Sequence, residues 1–501
     1  MLHRGVKPWI GDARLRDVAS ARIVVGVEDL PPHDDVQPAP ESGPGPARRS
    51  ARIAITLVLV AAMVVVAGLE GSGFIIRAEP DVRPAPSTPT VPRIALVDAD
   101  GALRSIDADG GSLVGYPAPG VIFQFPAWSP DGTRIAAIGT DDGNAGIYVF
   151  AAATDAANGS EASAPTIVYR SPDHPAFYLY WAPDSGALAF LTTEPDGIAL
   201  RHAPADARAP DTIVRNGAPM YWQWVDATRL LVHSGGDSPD AFVGEVGLDG
   251  SLVEPSAIQA GSFRAPGVSG SGEYLAYATA GSDGSAAVVV ESRDGATRHE
   301  VPVFGVAALE FDPVGDTLAF VAADRVGNAA QFPVGPLRTV DPASGAVRTL
   351  LSGSVVAFFW APDGRTIVAL RLNGPADNNV ASRADAVGSL ARSGASQATP
   401  AAQAAQAAQT AAGTLIRVAF VDVASGSIRS ERVGRLSDGF LNQILPYFDQ
   451  YALSHRFWSP DGSSIVLPLD DGQGVSQLTV IPADGSDGRQ LTAGVLGTWS
   501  P

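Results

Sequence analysis

The sequence has no cysteine and few charged residues. The absence of cysteine among 501 residues excludes disulfide bonds, thiolate metal sites, iron–sulfur clusters and cysteine nucleophiles. Charged residues make up only 17% and hydrophobic residues 46%, so a chain of this length can bury a large core. The formal net charge of -19 argues against nucleic acid as a partner, because duplex binding depends on Lys and Arg that neutralise phosphates.

Motifs of known catalytic sites are also missing from the sequence. There is no G-x-S-x-G elbow, no H-E-x-x-H pair and no phosphate-binding glycine loop. Asp98-Ala-Asp100-Gly101 and Asp107-Ala-Asp109-Gly110 lack the further acids of a calcium loop, and we interpret them as hairpin turns. His233 falls in a predicted core strand and is expected to be a buried, hydrogen-bonded histidine. No catalytic residue, metal ligand or cofactor is therefore predicted.

Glycine and proline, in contrast, are abundant. The 54 glycines and 40 prolines exceed the share of ordinary globular proteins, which is roughly 12% for the two together. Residues 31–46 and 80–92 hold clusters of these prolines, typical of extended linkers. The remaining glycines and prolines indicate frequent turns, which favours an all-β repeat protein over a helical bundle.

One segment near the N-terminus is apolar enough to enter a membrane. Ile53 to Leu69 carries no charge, and Arg48, Arg49 and Arg52 precede it. Cationic flanks stay in the cytoplasm, so we expect a single transmembrane helix at 51–70 with the N-terminus inside and the bulk of the chain extracytoplasmic. A cleaved signal peptide is the alternative, but its n-region would be unusually long.

The predicted transmembrane helix divides the chain into further parts. Residues 1–50 are predicted to be a mostly disordered cytoplasmic tail, 71–92 a proline-rich stalk, and 93–501 the folded domain. Eight basic and seven acidic residues precede Ile53, which leaves -20 for the remainder and an acidic exterior. A low-complexity stretch at about 374–413, rich in Ala and Gln, is predicted to be a surface insertion in the domain.

A motif of about five residues recurs through the domain. Its complete copies read Trp128-Ser-Pro-Asp-Gly132, Trp360-Ala-Pro-Asp-Gly364 and Trp458-Ser-Pro-Asp-Gly462, and other copies are degenerate. The first residues of the copies, which we call anchors, are Trp128, Trp181, Trp224, Val268, Phe311, Trp360, Trp458 and Trp499. Ser-Pro-Asp-Gly suits a type I turn, so each anchor is predicted to end one strand just before the next begins.

The register after the anchors supports this interpretation. An aliphatic residue stands seven positions after each anchor except Trp499, and it is followed every time by Ala or Val; Ile135-Ala136 and Leu188-Ala189 are examples. Two further apolar runs follow in each unit. Four short strands in about 45 residues, repeated, predict the blades of a β-propeller.

The two ends of the domain complement each other. Arg93–Asp98, Ala102–Asp107 and Ser112–Val114 resemble strands two to four of a blade, whereas Val495–Trp499 resembles a first strand alone. A composite blade would join them and remove the exposed edges of an open array. The count of anchors then predicts eight four-stranded blades.

These W-[SA]-P-D-G repeats, with following strands such as Leu188-Ala-Phe190 and Leu318-Ala-Phe320, resemble the WD40-like propeller repeats of the TolB type. The resemblance covers residues 92–501 and implies a propeller fold. It does not specify an activity, because such propellers serve as scaffolds, as binding modules and as appendages of peptidases.

Aromatic residues mark a candidate binding face for a protein or cell-envelope ligand. Several lie on the predicted innermost strands and others on a long connection, at 438–453, between two blades. Aromatic side chains that are not used between blades are suited to anchor a partner. The candidates are Tyr178, Tyr221, Trp222, Phe358, Tyr447, Phe448 and Tyr451.

The sequence therefore predicts a single-pass membrane protein whose propeller is a non-catalytic binding or scaffolding module. Two alternatives remain. The tail at 1–50 is a docking segment if the chain is a transmembrane signalling regulator. Carboxylates in the propeller channel are the reactive groups if it is a hydrolase or lyase.

Overall fold

The computed structural model describes residues 92–153, 163–235, 241–253, 264–280, 286–323, 333–372 and 415–501. All described residues belong to one compact unit. The predicted tail, transmembrane helix and stalk up to Val91, and the insertion at 374–413, lie outside the described residues. Within the described residues, no helix is both long and apolar enough to cross a membrane.

The first half of the domain consists of short antiparallel sheets formed by consecutive strands, and the first sheet also contains the last strand of the chain. The first sheet contains β1 (Arg93–Val97), β2 (Leu103–Asp107) and β3 (Val114–Gly115). The second contains β4 (Ile122–Trp128), β5 (Arg134–Asp141), β6 (Asn144–Ala151) and β7 (Thr166–Ser171). The third contains β8 (Ala176–Trp181), β9 (Ala187–Glu194), β10 (Gly197–Pro204) and β11 (Thr212–Gly217). The fourth contains β12 (Met220–Trp224), β13 (Arg229–Ser234) and β14 (Phe242–Gly247).

The second half begins with a ten-stranded sheet in which two long strands change partners midway. Its strands are β15 (Gly267–Val268), β16 (Tyr274–Ala280), β17 (Ala286–Ser292), β18 (Arg298–Phe311), β19 (Leu318–Ala323), β20 (Gly335–Val340), β21 (Val347–Trp360), β22 (Thr366–Leu372), β23 (Ile416–Asp422) and β24 (Ile428–Gly434). The first part of β18 pairs with β17 and its last part with β19, and β21 divides in the same way between β20 and β22.

A short helical stretch and the last strands complete the domain. The stretch contains a π-helical turn (Phe440–Ile444), a 3-10 turn (Leu445–Tyr447) and the helix α1 (Phe448–Ser454). The strands are β25 (Ser464–Asp470), β26 (Ser476–Pro482), β27 (Arg489–Ala493) and β28 (Leu496–Trp499).

The anchors end the first strand of each repeat, as predicted. Trp128 pairs with Ile135, Trp181 with Leu188, Val268 with Leu275, Phe311 with Leu318, Trp360 with Ile367 and Trp458 with Ile465. The predicted seven-residue register is therefore confirmed in these repeats. The Trp224 repeat differs, because Trp224 pairs with Leu230, one position earlier, across a turn that is shorter by one residue.

The Ser-Pro-Asp-Gly segments form the predicted turns. In the first repeat the Gly132 amide donates to the Ser129 carbonyl at 2.9 Å, and Gly132 has φ +70°, a left-handed conformation that glycine adopts without strain. The Ser129 hydroxyl donates to the Asp131 carboxylate at 2.6 Å. These local bonds fix the angle at which the second strand leaves each anchor.

The first and last strands lie in one sheet. β28 pairs antiparallel with β1, in the order β28-β1-β2-β3, so the predicted composite sheet is confirmed. Inner strands of neighbouring sheets contact each other in turn, including β28 with β4, β4 with β8 and β25 with β28. The domain is thus an all-β propeller closed by its two ends.

Four anchor tryptophans connect neighbouring repeats through one repeated hydrogen bond. The indole Nε1 of each donates to the backbone carbonyl just before the previous anchor, an arrangement we call the indole bond. The pairs are Trp128 to Thr498 (3.1 Å), Trp181 to Ala127 (3.0 Å), Trp360 to Glu310 (3.2 Å) and Trp458 to Phe359 (3.0 Å). The bond from Trp128 joins the first complete repeat to β28, so the two ends of the domain are connected by the same contact as the other repeats.

Candidate functional site

The helical stretch at 440–454, which we call the central plug, occupies the centre of the ring. α1 contacts the innermost strands of four repeats, namely β8, β12, β18 and β21. Phe440, Ile444, Phe448 and Tyr451 are buried, and their spacing of three to four residues places them on one side of a helical backbone. The plug is therefore held by apolar packing against strands from several directions.

Gln450 ties the plug to two innermost strands. Its side-chain oxygen accepts from the Trp222 amide at 2.9 Å, and its side-chain nitrogen donates to the Trp222 carbonyl at 2.8 Å. The Tyr178 hydroxyl donates to the Gln450 backbone carbonyl at 2.9 Å and accepts from the Gln450 side chain at 3.0 Å. A buried amide needs several partners to offset its lost hydration, and the surrounding strands provide them.

A buried ion pair lies next to this amide. Asp449 is fully buried and Arg264 is 3% exposed. The Arg264 guanidinium donates to the Asp449 carboxylate at 3.1 Å and to the Pro446 carbonyl at 2.8 Å, and the Ala265 amide donates to the other carboxylate oxygen at 3.1 Å. The plug is thus connected electrostatically to the segment just before β15.

His233 is hydrogen-bonded to the backbone of Arg264. It is 3% exposed, and its Nδ1 lies 2.8 Å from the Arg264 carbonyl; since a carbonyl only accepts, Nδ1 carries the proton. The prediction that His233 is a buried, hydrogen-bonded histidine is confirmed.

Aromatic rings surround the plug. Phe448 packs edge-on against Phe358 and Phe359, with ring centroids 5.4 and 6.0 Å apart. Tyr451 stacks on Phe125 at 5.4 Å and meets Tyr178 edge-on at 5.3 Å. These arrangements match the ring quadrupoles and add to simple apolar burial.

The stacking residue Phe125 has an unusual backbone. Its φ is +51°, within a bulge of β4 between Gln124 and Ala127. Such a conformation is costly for a residue with a Cβ, and a bulge can re-aim a side chain. Here the bulge brings the Phe125 ring onto Tyr451, and packing against the plug offsets the cost of the strained backbone.

The predicted partner-binding residues converge on this centre. Six of them are buried: Tyr178, Tyr221, Trp222, Phe358, Phe448 and Tyr451. Tyr447 is partly buried. The structure brings all seven together, but the six buried side chains contact the protein itself, so a partner would have to displace the plug to reach them. Their role in partner binding stays a prediction.

Burial keeps most ionisable groups of the centre neutral. It raises the pKa of Tyr447 to about 12 and those of Tyr178, Tyr221 and Tyr451 further above the ordinary value. It lowers the pKa of His455 to about 4, and the Ser454 hydroxyl lies 2.7 Å from His455 Nδ1. The plug is therefore held by neutral hydrogen bonds and one ion pair.

Glu310, near the end of β18, is a second carboxyl group at the centre. Its Oε2 atom is buried and, among the described residues, has no hydrogen-bond partner. Burial, and secondarily the negative charge of Asp449, raise the pKa of Glu310 well above its ordinary value. The protonated form of Glu310 is therefore favoured at this location.

Five polar residues of the centre were not predicted from the sequence: Arg264, Glu310, Asp449, Gln450 and His455. The segment 438–453 was predicted only as a long connection between blades. The apolar spacing of Phe440, Ile444 and Phe448 was a usable helical signal. The aspartate motifs after β1 and β2 form hairpin turns, as predicted: Asp98 accepts from the Asp100 and Ala102 amides, and Asp109 accepts from the Gly111 amide.

Within the described ranges from 92 to 501, no three His, Asp or Glu side chains are grouped as metal ligands would be.

Comparison with known proteins found similarity only among solved structures. No family model matches the sequence, and no curated protein matches it. Dihydro-heme d1 dehydrogenase NirN shares 13% identity, with 84% of this chain and 76% of that chain covered and a TM-score of 0.45. An oligogalacturonate lyase in complex with manganese shares 12% identity, with 80% of this chain and 83% of that chain covered and a TM-score of 0.42.

TolB structures are also among the similar structures. TolB from Acinetobacter baumannii shares 19% identity, with 51% of this chain and 65% of that chain covered and a TM-score of 0.32. Likeness at these values does not transfer an activity to this chain.

Proposed function

We propose that this protein is a membrane-anchored, extracytoplasmic β-propeller that acts as a non-catalytic binding or scaffolding module. The observation that carries the proposal is the central plug. The chain fills the centre of its own ring with α1 and fixes it through Asp449 and Gln450. This arrangement leaves the outer faces and edges of a rigid ring for partners, which are proteins or cell-envelope ligands.

The proposal includes a ring of eight blades. The ten-stranded sheet supplies three of them if β18 and β21 are each divided where they change partners. The sheets of β4–β7, β8–β11, β12–β14 and β25–β27, together with the closing sheet, supply the other five. The isolated bridge from Trp458 to Ile465 stands where the blade of β25–β27 would have its first strand.

The membrane part of the proposal rests on the sequence. The uncharged segment Ile53 to Leu69 follows three arginines, an arrangement that keeps the N-terminus in the cytoplasm. The acidic remainder of the chain then lies outside, held away from the bilayer by the proline-rich stalk at 71–92.

Site-specific photocrosslinking in intact membranes tests the proposal. A photoreactive phenylalanine analogue replaces Leu113, Ile213 or Val347, each 46% exposed, in three separate full-length variants. We expect at least one site to give a light-dependent adduct larger than 51.5 kDa that contains one reproducible partner and is reduced by excess unlabelled chain. Absence of such adducts at all three sites, together with measured substrate turnover by the purified chain, would contradict the proposal.

A second candidate function, a hydrolase or lyase using channel carboxylates, is favoured by Glu310. A carboxyl group whose pKa is raised by burial can act as a general acid. A general acid must be protonated near neutral pH. Carbon-13 NMR of the Glu310 carboxyl, with Glu310→Gln for assignment, tests whether Glu310 meets this requirement. A pKa between about 6 and 8 would favour this candidate, and a value near the ordinary one of about 4.3 would remove its support.

A further inference from the structure

We propose that the central plug is an acid-sensitive cover: protonation of His455 releases the plug from the centre while the surrounding propeller stays folded. Release uncovers the aromatic side chains of the innermost strands, which then become open to an apolar segment of a partner. The inference goes beyond the proposed function, which concerns the outer faces and edges of the propeller, and does not depend on it.

The plug is attached to the propeller through side chains rather than through a strand ladder. At its start the Ser437 amide donates to the Pro468 carbonyl at 2.9 Å, and just after its end the Arg456 carbonyl accepts from the Trp499 amide at 2.7 Å. Among the described residues, the main-chain hydrogen bonds of 438–455 join only this stretch and Ser437 to one another. The plug can therefore leave the centre without breaking a strand pair, which is typical of segments that open locally.

His455 is the residue at which the plug joins the innermost strands. It follows α1 directly, and its amide donates to the Tyr451 carbonyl at 2.8 Å. Its side chain is 1% exposed, and the imidazole lies against the rings of Tyr451 and Tyr178, with centroids 5.2 and 6.4 Å apart. A charge on this imidazole therefore acts where the plug and the strands meet.

The polar contacts of His455 suit the neutral imidazole. Its Nδ1 lies 2.7 Å from the Ser454 hydroxyl, and its Nε2 has no hydrogen-bond partner among the described residues. Burial lowers the pKa of His455 to about 4, and the Phe125 carbonyl offsets part of this effect. A protonated imidazole here has lost its hydration without gaining a counter-charge, which is costly.

The elements packed around His455 supply no carboxylate to pair with it. β4 and β8 contain no Asp, Glu, Lys or Arg. Tyr178 and Tyr451 stay neutral, because burial raises the pKa of both hydroxyls. Asp449 lies about 9 Å away along the helix axis and is already paired with Arg264. The next residue, Arg456, is an exposed cation, which adds to the cost of a second positive charge.

The difference in pKa between the two forms sets the direction of the switch. The pKa of His455 is about 4 when the plug is in place, whereas a hydrated histidine in the released plug has an ordinary pKa of about 6.5. The released form therefore binds the proton first as the pH falls. The equilibrium constant for release should rise about 30-fold between pH 7.5 and pH 5.

Glu310 acts in the opposite direction. Its pKa is raised by burial and by the charge of Asp449, so acid favours the form in which Glu310 stays buried. The contribution of His455 is therefore isolated by comparing variants, and not by the pH profile of the unchanged protein alone.

Hydrogen–deuterium exchange of the full-length protein in detergent micelles tests the inference. Mass spectrometry follows the amides of 440–454 from pH 7.5 to pH 5, with rates corrected for the intrinsic pH dependence of exchange. We expect opening of the plug to increase about 30-fold, while the amides of β5 and β23 keep constant protection. These two strands report on the propeller and separate release of the plug from unfolding of the domain.

Three variants assign the effect to its cause. His455→Gln removes the titrating group and should reduce the increase to less than about threefold. The matched control is His202→Gln on β10, which replaces another histidine and should leave the increase unchanged. Glu310→Gln removes the opposing carboxyl group and should give an increase at least as large as in the unchanged protein. If His455→Gln does not fold, His455→Phe supplies a second neutral replacement.

Three outcomes overturn the inference. The first is constant protection of the plug between pH 7.5 and pH 5 in both the unchanged protein and Glu310→Gln. The second is an equal increase in the unchanged protein and in the His455 variant, which would assign the effect to another group. The third is loss of protection in β5 and β23 together with the plug, which would mean that acid unfolds the whole domain. Crosslinking of a partner at outer positions is unaffected by these results, so the proposed function is tested separately.

Discussion

Two adjacent residues, Asp449 and Gln450, decide how the plug is fixed. Each is buried, and each makes hydrogen bonds to a different part of the chain, Asp449 to Arg264 and Ala265, and Gln450 to Trp222 and Tyr178. A buried ion pair adds little net stability over apolar packing, but breaking it is costly because one charge stays behind unpaired. These two residues therefore specify the position of the plug more than they contribute to the net stability of the fold.

Replacement of Asp449 should reveal this dependence. Asp449→Asn leaves the Arg264 charge buried without a counter-charge and should lower the free energy of unfolding by about 3–5 kcal/mol. Asp438→Asn is the matched control, since Asp438 is exposed and should change stability by less than about 0.5 kcal/mol. Urea unfolding followed by tryptophan fluorescence measures both, and equal effects would show that the ion pair does not hold the plug.

His455 should give the domain a specific acid sensitivity. Its pKa of about 4 in the fold lies below the ordinary value of about 6.5, so the unfolded chain binds the extra proton first. Stability from neutral His455 is therefore present above about pH 6.5 and is lost as the pH falls toward 4. Glu310, whose pKa is raised, acts in the opposite direction.

His455→Gln isolates the histidine contribution. Unfolding free energies measured from pH 7 to pH 4 should fall less steeply in this variant than in the unchanged protein, by about 1–3 kcal/mol over the interval. His202→Gln, at a partly buried position of β10, serves as a comparison. Parallel pH profiles of His455→Gln and the unchanged protein would contradict the assignment.

At the level of strands and turns, the sequence was informative because the signals are local. The anchor, its turn and the aliphatic residue seven positions later lie within one hairpin, so their spacing predicted pairs such as Trp128 with Ile135. The plug was predicted only as a connection, because α1 has seven residues and depends on distant strands for its stability. The contact between Arg264 and Asp449 spans 185 residues, and no local pattern carries that information.

The indole bond can be tested by comparing two tryptophans of equal burial. Trp458 and Trp224 are both 4% exposed, but only Trp458 donates its indole hydrogen, and Trp224 Nε1 has no partner among the described residues. Trp458→Phe should cost about 1–2 kcal/mol more than Trp224→Phe, because both lose similar area and only the first loses a hydrogen bond.

Chemical denaturation of the two variants measures the difference directly. Equal losses of stability would mean that the indole bond contributes nothing beyond packing. The comparison is most informative with full-length protein, in which every sheet retains both neighbours.

On the scale of the whole molecule, ring closure depends on β28. This strand pairs with β1, its Thr498 carbonyl accepts the indole bond from Trp128, and Trp499 is buried. A ring differs from an open array in that the loss of one strand exposes an edge on each side of the gap. The effect of removing β28 should therefore extend beyond the local contacts.

Deletion of residues 496–501 tests this dependence. We expect a loss of more than about 4 kcal/mol in unfolding free energy and faster proteolysis within β1 to β3. Ser500→Ala is the control, because it removes only the hydrogen bond from the Arg93 amide at 3.1 Å and should cost about 1 kcal/mol. A deletion as mild as the control would show that the ring is stable when open.

The closing sheet also sets the order in which the protein can fold during synthesis. Arg93 and Ser500 are 407 positions apart, and at about 5–20 residues per second β1 waits roughly 20 to 80 seconds for β28. Through that interval β1 has no first strand beside it and the centre has no plug, since 440–454 also comes late. A nascent chain of this protein therefore keeps β1 without its first strand and the centre unfilled until its last residues have been synthesised.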